Sequence, residues 1–288
     1  MNKIAVYYFS GTGNTEIVAD LIKEGLANQG NKVSLLRIED IAKERRQLDL
    51  SNYDMIGISC PVIGFGTPYI VRKFLKQFPE GKGRKVFVFR TAGGVAPVNY
   101  NASRPIIKEL TKRGYDVFYE RIFAISSNWT SRFEDKIVRQ LYEATVRKTA
   151  ILCQEVLEGK IRRLKTDAKL RIEMGLARRV FADILRLTGK DMAVNSACSG
   201  CGTCIRNCPM DNIVRKNGKI KFSLSCTNCM RCVYACPNGA IYYRFLKFFP
   251  VKGGYNIRKI LNEPIATHEI DENKVPPFFQ KYVNEDIY

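Results

Sequence analysis

Residues 3–15 read KIAVYYFSGTGNT. The first seven are β-rich and apolar apart from Lys3, and the last six are small and polar. From Asn14 to Asn28, Ile17, Val18, Leu21, Ile22 and Leu26 recur at helical spacing, and Gly30 follows as a stop. A buried strand therefore feeds a Gly-rich loop and a helix. The strand signal returns at 33–38, 54–60, 85–91 and 115–126, with helices expected over 68–78, 103–113 and 131–158. Pro68 suits a first helical turn. Five short apolar strands separated by helices imply an α/β domain, a doubly wound five-stranded parallel sheet covered on both faces.

The chain has 288 residues, of which 45% are hydrophobic and 26% charged, the balance of folded protein rather than of disorder. Its length suits two domains. No apolar run reaches the ~18 residues of a membrane span. The N-terminus turns polar after six apolar residues without a cleavage site, so a cytoplasmic location is expected. Lys and Arg number 47 against 28 Asp and Glu, a net charge of +19. Four units are expected: 1–158 as the α/β domain, 159–192 as a basic helical connector, 193–245 as a cysteine-rich module, and 246–288 as an aromatic tail running along the body. The connector's charge reads as a solvated face or as a docking surface for an acidic partner.

Eight of the ten cysteines fall between Cys198 and Cys236, and CSGCGTCIRNCPMDNI at 198–213 aligns with CTNCMRCVYACPNGAI at 226–241. Each copy reads Cys-x2-Cys-x2-Cys-x3-Cys-Pro. Three thiolates on a tight loop suit three irons of a cubane, and the fourth points to the neighbouring cluster. One cluster is expected on Cys198, Cys201, Cys204 and Cys236, the other on Cys226, Cys229, Cys232 and Cys208. Structural zinc would need only two Cys from each loop and leaves the third unexplained. Residues 193–245 resemble the bacterial two-cluster ferredoxins in all eight cysteines and in Pro209 and Pro237, which implies two [4Fe–4S] clusters passing one electron at a time. Free ferredoxins of this type tend to be acidic, whereas this segment holds seven basic residues and one acidic.

Ser10, Gly11, Thr12, Gly13, Asn14 and Thr15 form a compact cradle of hydroxyls and backbone N–H groups at a helix N-terminus, suited to a phosphate monoester. A Walker loop would need a lysine, and the first after Lys3 is Lys23. The G-x-G-x-x-G fingerprint would need glycine where Glu16 stands. An ordinary strand-to-helix turn reads equally well from the loop alone. Its place at the carboxyl end of strand one favours a ligand, because such sheets bind at a switch point. The loops after strands three and four share that end. The first 158 residues resemble the flavodoxins through Ser10-Gly11-Thr12-Gly13-Asn14-Thr15. The resemblance implies FMN, its phosphate on this loop and its ring against Pro61, Val62, Ile63, Gly64, Phe65 and against Thr91, Ala92, Gly93, Gly94. Phe65, Tyr100 and Trp129 are candidates for ring stacking.

The whole chain resembles the flavodoxin–ferredoxin fusion electron-transfer proteins. That implies electron transfer between low-potential one-electron partners and bound FMN through two [4Fe–4S] clusters, with an acidic redox protein as partner. No base-stacking motif speaks for nucleic acid. A flavin reductase acting on a small acceptor and a cluster-based redox sensor are the alternatives. No catalytic residue is expected: His268 reads as a surface residue, Cys60 and Cys153 as packing, and Asp54 and Asp116 lie at the wrong end of their strands.

Overall fold

The computed structural model describes residues 1–44, 48–165, 168–264 and 275–286; His268 lies outside them. Five strands, β1 (Lys3–Tyr8), β2 (Lys32–Arg37), β3 (Met55–Pro61), β4 (Lys85–Ala92) and β5 (Asp116–Ala124), form a parallel sheet in the order β2-β1-β3-β4-β5. Ala5 lies between Ser34 and Ile56, and Ile58 pairs with Val88. Alternation along β1 sorts the two layers. Ile4, Val6 and Tyr8 pack with α1 (Asn14–Asn28) and, from further along the chain, the long helix Asp135–Leu157. Ala5, Tyr7 and Phe9 pack with α2 (Ile38–Glu44), α3 (Tyr69–Leu75) and the helix Arg104–Lys112. A one-turn helix, Pro97–Tyr100, precedes the last of these, so in chain order these helices are α4 (Pro97–Tyr100), α5 (Arg104–Lys112) and α6 (Asp135–Leu157).

The doubly wound sheet thus stands as the sequence implied, with differences at the ends of elements. Pro68 precedes α3 as its N-cap rather than opening it. The helix expected from 131 begins at Asp135, because Trp129 bridges to Pro250 and Thr130 takes a left-handed φ of 59°.

α7 (Ala168–Leu187) joins this unit to a module whose two halves repeat at 28 residues. The first half holds β6 (Met192–Val194), α8 (Thr203–Arg206) and β7 (Ile213–Lys216); the second holds β8 (Lys219–Phe222), α9 (Arg231–Tyr234) and β9 (Ile241–Tyr243). β6 pairs antiparallel with β9 and β7 with β8, so a twofold exchange of the halves maps one pairing onto the other. The backbone follows the repeat: left-handed φ angles recur at Gly200 and Asn228, Gly202 and Met230, Asp211 and Gly239. The tail returns to the α/β unit. α10 (Ile257–Asn262) buries Ile257 and Ile260 beside α1, and α11 (Phe279–Asn284) buries Phe279 and Tyr282 beside α6.

Candidate functional site

β1 ends at the sheet's carboxyl edge, and Ser10 Oγ accepts a hydrogen bond from the Gly13 N–H at 3.1 Å, closing the turn into α1. Gly13, with φ 98°, is the N-cap. Around it, the Thr15 and Thr91 hydroxyls share a hydrogen bond of 2.7 Å, and Asn128 Nδ2 donates to Thr12 Oγ1 at 2.7 Å. Asn14 Nδ2 donates to the Ser126 carbonyl at 2.8 Å, while its Oδ1 accepts from the Tyr255 hydroxyl at 2.7 Å. A cleft of about 380 Å³ opens here, within the range of small-molecule sites.

The three loops singled out in the sequence meet in this cleft. Ser10, Gly11, Thr12, Asn14 and Thr15 line it, with Pro61 to Phe65 and Thr91 to Gly93. Gly13 and Gly94 do not: the Cβ direction of Gly13 meets Ile257, and that of Gly94 meets Phe278. Of the three aromatics, Phe65 and Trp129 line the cleft, whereas Tyr100 packs with Val95, Phe279 and Tyr282. Phe65 meets Phe181 of α7 edge-on at 6.2 Å, and Trp129 stacks on Phe249 at 5.0 Å. Among the described residues lining the cleft there is no charged side chain. Hydroxyls and backbone N–H groups at a helix N-terminus are the donors present, a set that fits a phosphate.

Arg90 braces the second loop. It is 1% exposed and gives Nε to the Cys60 carbonyl, Nη2 to those of Pro61 and Gly66, and Nη1 to that of Ala102, at 2.6–2.9 Å. Burial lowers its pKa, but four carbonyl oxygens and the field of Glu120 hold its charge.

Apart from Trp129, sequence reasoning missed the remaining walls. Residues 126–130 follow β5 at the same sheet edge, and the rule that pointed to the loops after β3 and β4 points equally to them. Asn228, Cys229 and Phe249 come from the cysteine-rich half, and Phe181 and Leu185 from α7; no local pattern announces them.

The eight cysteines gather into two sets of four. Cys208, Cys226, Cys229 and Cys232 line one small cavity, walled by Met192, Ile213, Met230 and Tyr243. Cys198, Cys201, Cys204 and Cys236 line the other, walled by Val194, Ile220 and Ile241. Backbone N–H groups already point at sulfur: Asn212 to Cys208 at 3.2 Å, Asn228 to Cys226 at 3.3 Å and Ala240 to Cys236 at 3.3 Å. Burial pushes the Cys226 thiol up to about 12 and Cys229 to about 11. Such thiols become thiolates only against bound cations, so an all-sulfur donor set with apolar walls fits an iron–sulfur cluster. Cys60 and Cys153 are buried among core side chains, and burial also raises both thiols.

The cleft shares a wall with the cavity of Cys208, Cys226, Cys229 and Cys232, the second in chain order. Asn228 and Cys229 line both. Trp129 Nε1 donates to the Asn228 carbonyl at 3.2 Å, and the Asn228 side chain is held by Thr188 Oγ1 at 2.8 Å and by the Leu185 carbonyl. The first in chain order, that of Cys198, Cys201, Cys204 and Cys236, lies at the surface, where Cys201 is exposed.

The family model described as a 4Fe-4S dicluster domain matches residues 197–241. Over 93 residues the chain is 32% identical to a flavodoxin of Megasphaera elsdenii, covering 31% of this chain and 65% of that protein. Over 59 residues it is 34% identical to a flavodoxin of Clostridium beijerinckii, covering 20% and 40%. The chain therefore spans less than two thirds of the length of these curated relatives. Among solved structures, oxidised flavodoxin 2 from Bacillus cereus aligns with a TM-score of 0.41 at 25% identity, over 54% of this chain and 98% of that one.

Proposed function

We propose that this chain, which joins a flavodoxin-like domain to a 4Fe-4S dicluster domain, passes single electrons between an acidic partner protein and FMN through two [4Fe–4S] clusters. FMN exchanges one or two electrons and each cluster one, so together they convert between the two modes. The observation that carries the reading is the shared wall: Cys229 faces the cleft on one side and the second cysteine cavity on the other.

In this reading residues 1–158 hold the flavin, 159–192 connect, 193–245 hold the clusters, and 246–288 buttress both. Ser10, Gly11, Thr12 and Thr15 hold the phosphate with their N–H and hydroxyl groups. The loops at 61–65 and 91–93 border the ring, and Trp129 and Phe65 exclude water from it. Cys226, Cys229, Cys232 and Cys208 hold the cluster beside the flavin. Cys198, Cys201, Cys204 and Cys236 hold the one at the surface, where a partner docks.

The docking face is cationic. Arg206, Arg215, Lys216, Lys219 and Lys221 are all exposed, and Arg206 and Arg215 bond the carbonyls of Cys201 and Gly200 on the loop that covers the first cavity. An acidic protein would be steered there. No helix among the described residues is long and apolar enough to cross a membrane. Eight thiolates reserved for iron suit the reducing cytoplasm.

Anaerobic reconstitution with iron, sulfide and FMN tests the assignment. The expected product carries iron and labile sulfide for two cubanes and one FMN per chain. Cys226→Ser should lose one cluster's worth of iron. Retention of full iron in that variant, or no FMN uptake by the reconstituted chain, would overturn the reading.

A further inference from the structure

Arg231 belongs to the cluster-bearing half, between Met230 and Cys232, yet its guanidinium works across the boundary. Nη2 donates to the Ser10 carbonyl at 2.5 Å and to Glu39 Oε1 at 2.6 Å, and Nε reaches the Gly11 carbonyl at 3.4 Å. Glu39, on α2, is 5% exposed and supplies the countercharge. The backbone of the same segment presses on the same loop: a Cβ built on Gly11 would lie 2.2 Å from the Cys229 carbonyl oxygen.

The consequence follows from peptide geometry. In a trans peptide the C=O and N–H point in opposite directions. A guanidinium drawing the Ser10 and Gly11 carbonyls to one side turns the N–H groups of Gly11 and Thr12 to the other. Gly11 and Thr12 line the cleft. Polarising those carbonyls also strengthens the N–H groups as donors. Because Glu39 balances the guanidinium, the phosphate meets aimed dipoles rather than a competing ion pair.

We infer that Arg231 is a positioning residue for the phosphate loop, and that loading of the cluster on Cys226, Cys229, Cys232 and Cys208 is thermodynamically coupled to FMN binding. The inference rests on the reading of the cleft as the flavin site. Cys229 and Cys232 flank Arg231 within the four-residue span that opens α9, so ligation of both fixes the backbone that presents it. Without iron, a one-turn helix and free thiols hold the segment, and the loop loses its brace. Coupling of this kind is reciprocal.

The test is an anaerobic titration of the full chain with FMN and with riboflavin, followed by flavin fluorescence. It compares cluster-loaded protein, iron-depleted protein, and cluster-loaded Arg231→Gln and Arg231→Lys. FMN dissociation constants are expected to rise about tenfold on iron removal and in Arg231→Gln, the scale of lost hydrogen bonds to a charged group. Arg231→Lys should fall between, since one ammonium cannot span both carbonyls and Glu39. Riboflavin, which lacks the phosphate, should weaken far less in the variants. Equal FMN affinity in all four proteins would overturn the coupling. Equal weakening of FMN and riboflavin by the substitutions would reduce Arg231 to wall packing and overturn its positioning role. Failure of the loaded parent to bind FMN would instead sink the flavin reading itself. If Arg231→Gln cannot hold its clusters, the unaltered protein decides: saturating FMN must raise the iron retained against a competing chelator, and unchanged retention refutes the coupling.

Discussion

Gly11 shows how much of the site hangs on one residue without a side chain. A methyl group there would sit 2.2 Å from the Cys229 oxygen and 2.8 Å from its Cβ, and backbone on the far side cannot swing away as a flexible side chain would. Gly11→Ala must therefore part the phosphate loop from the cluster loop. Overpacking of this kind costs about 1–3 kcal/mol, which predicts a loss in FMN affinity of about five- to 150-fold. Unchanged affinity with the iron content intact would contradict the contact. The motif from Ser10 to Thr15 was legible because all its chemistry is local: small residues, hydroxyls and a helix start within six positions. Asn228 was not, since it meets Trp129 across 99 positions of sequence and nothing in either neighbourhood encodes the meeting. Arg90 was equally hidden. A lone arginine in an apolar strand declares a buried charge, but only the folded loops reveal the carbonyl oxygens that surround it.

Among the elements, the strands and long helices could be read because their apolar periods run for several turns. The 28-residue repeat could be read because eight cysteines marked it. α2 could not: seven residues are too few to show a period, although it supplies Glu39 to Arg231. The buried face of α6 reads cleanly from its apolar positions yet hides Lys148, 4% exposed, near Asp286 and beneath the α11 ring of Tyr282. Burial, then the fields of Arg121, Arg147 and Arg162, hold its ammonium at a pKa of about 8 against an ordinary 10.5. Between those values the unfolded chain binds the extra proton, so this group adds stability as pH rises. Below pH 8 the penalty of the buried charge is present in full. Lys148→Met removes that dependence. Its melting temperature relative to the parent should be highest near neutrality and fall as pH approaches 10; a difference that stays constant with pH would contradict the buried ammonium.

At the scale of the molecule, two units were legible in the sequence but not their docking. The cleft was expected to be built from loops of the sheet alone. It is instead closed by α7, by the tail residue Phe249 and by the loop carrying Asn228 and Cys229, so the two halves form one site. Part of the charge of +19 lies on the β7–β8 hairpin, where Lys216 and Lys219 flank the turn near the cavity of Cys198, Cys201, Cys204 and Cys236. Replacing both by glutamate should slow reduction by an acidic ferredoxin about tenfold at low salt and flatten the salt dependence. The same reversal at Lys23 and Lys112, exposed on α1 and α5, should leave the rate nearly unchanged. Equal effects at both places would show that net charge, not this face, steers the partner.

The most direct test of the electron path is rapid anaerobic mixing of the reconstituted chain with a reduced low-potential ferredoxin, following cluster and flavin absorbance together. The account predicts that the clusters bleach first and the flavin follows at a rate independent of protein concentration, as transfer within one chain requires. Flavin reduction that precedes cluster bleaching, or clusters that reduce while the flavin stays oxidised, would contradict it.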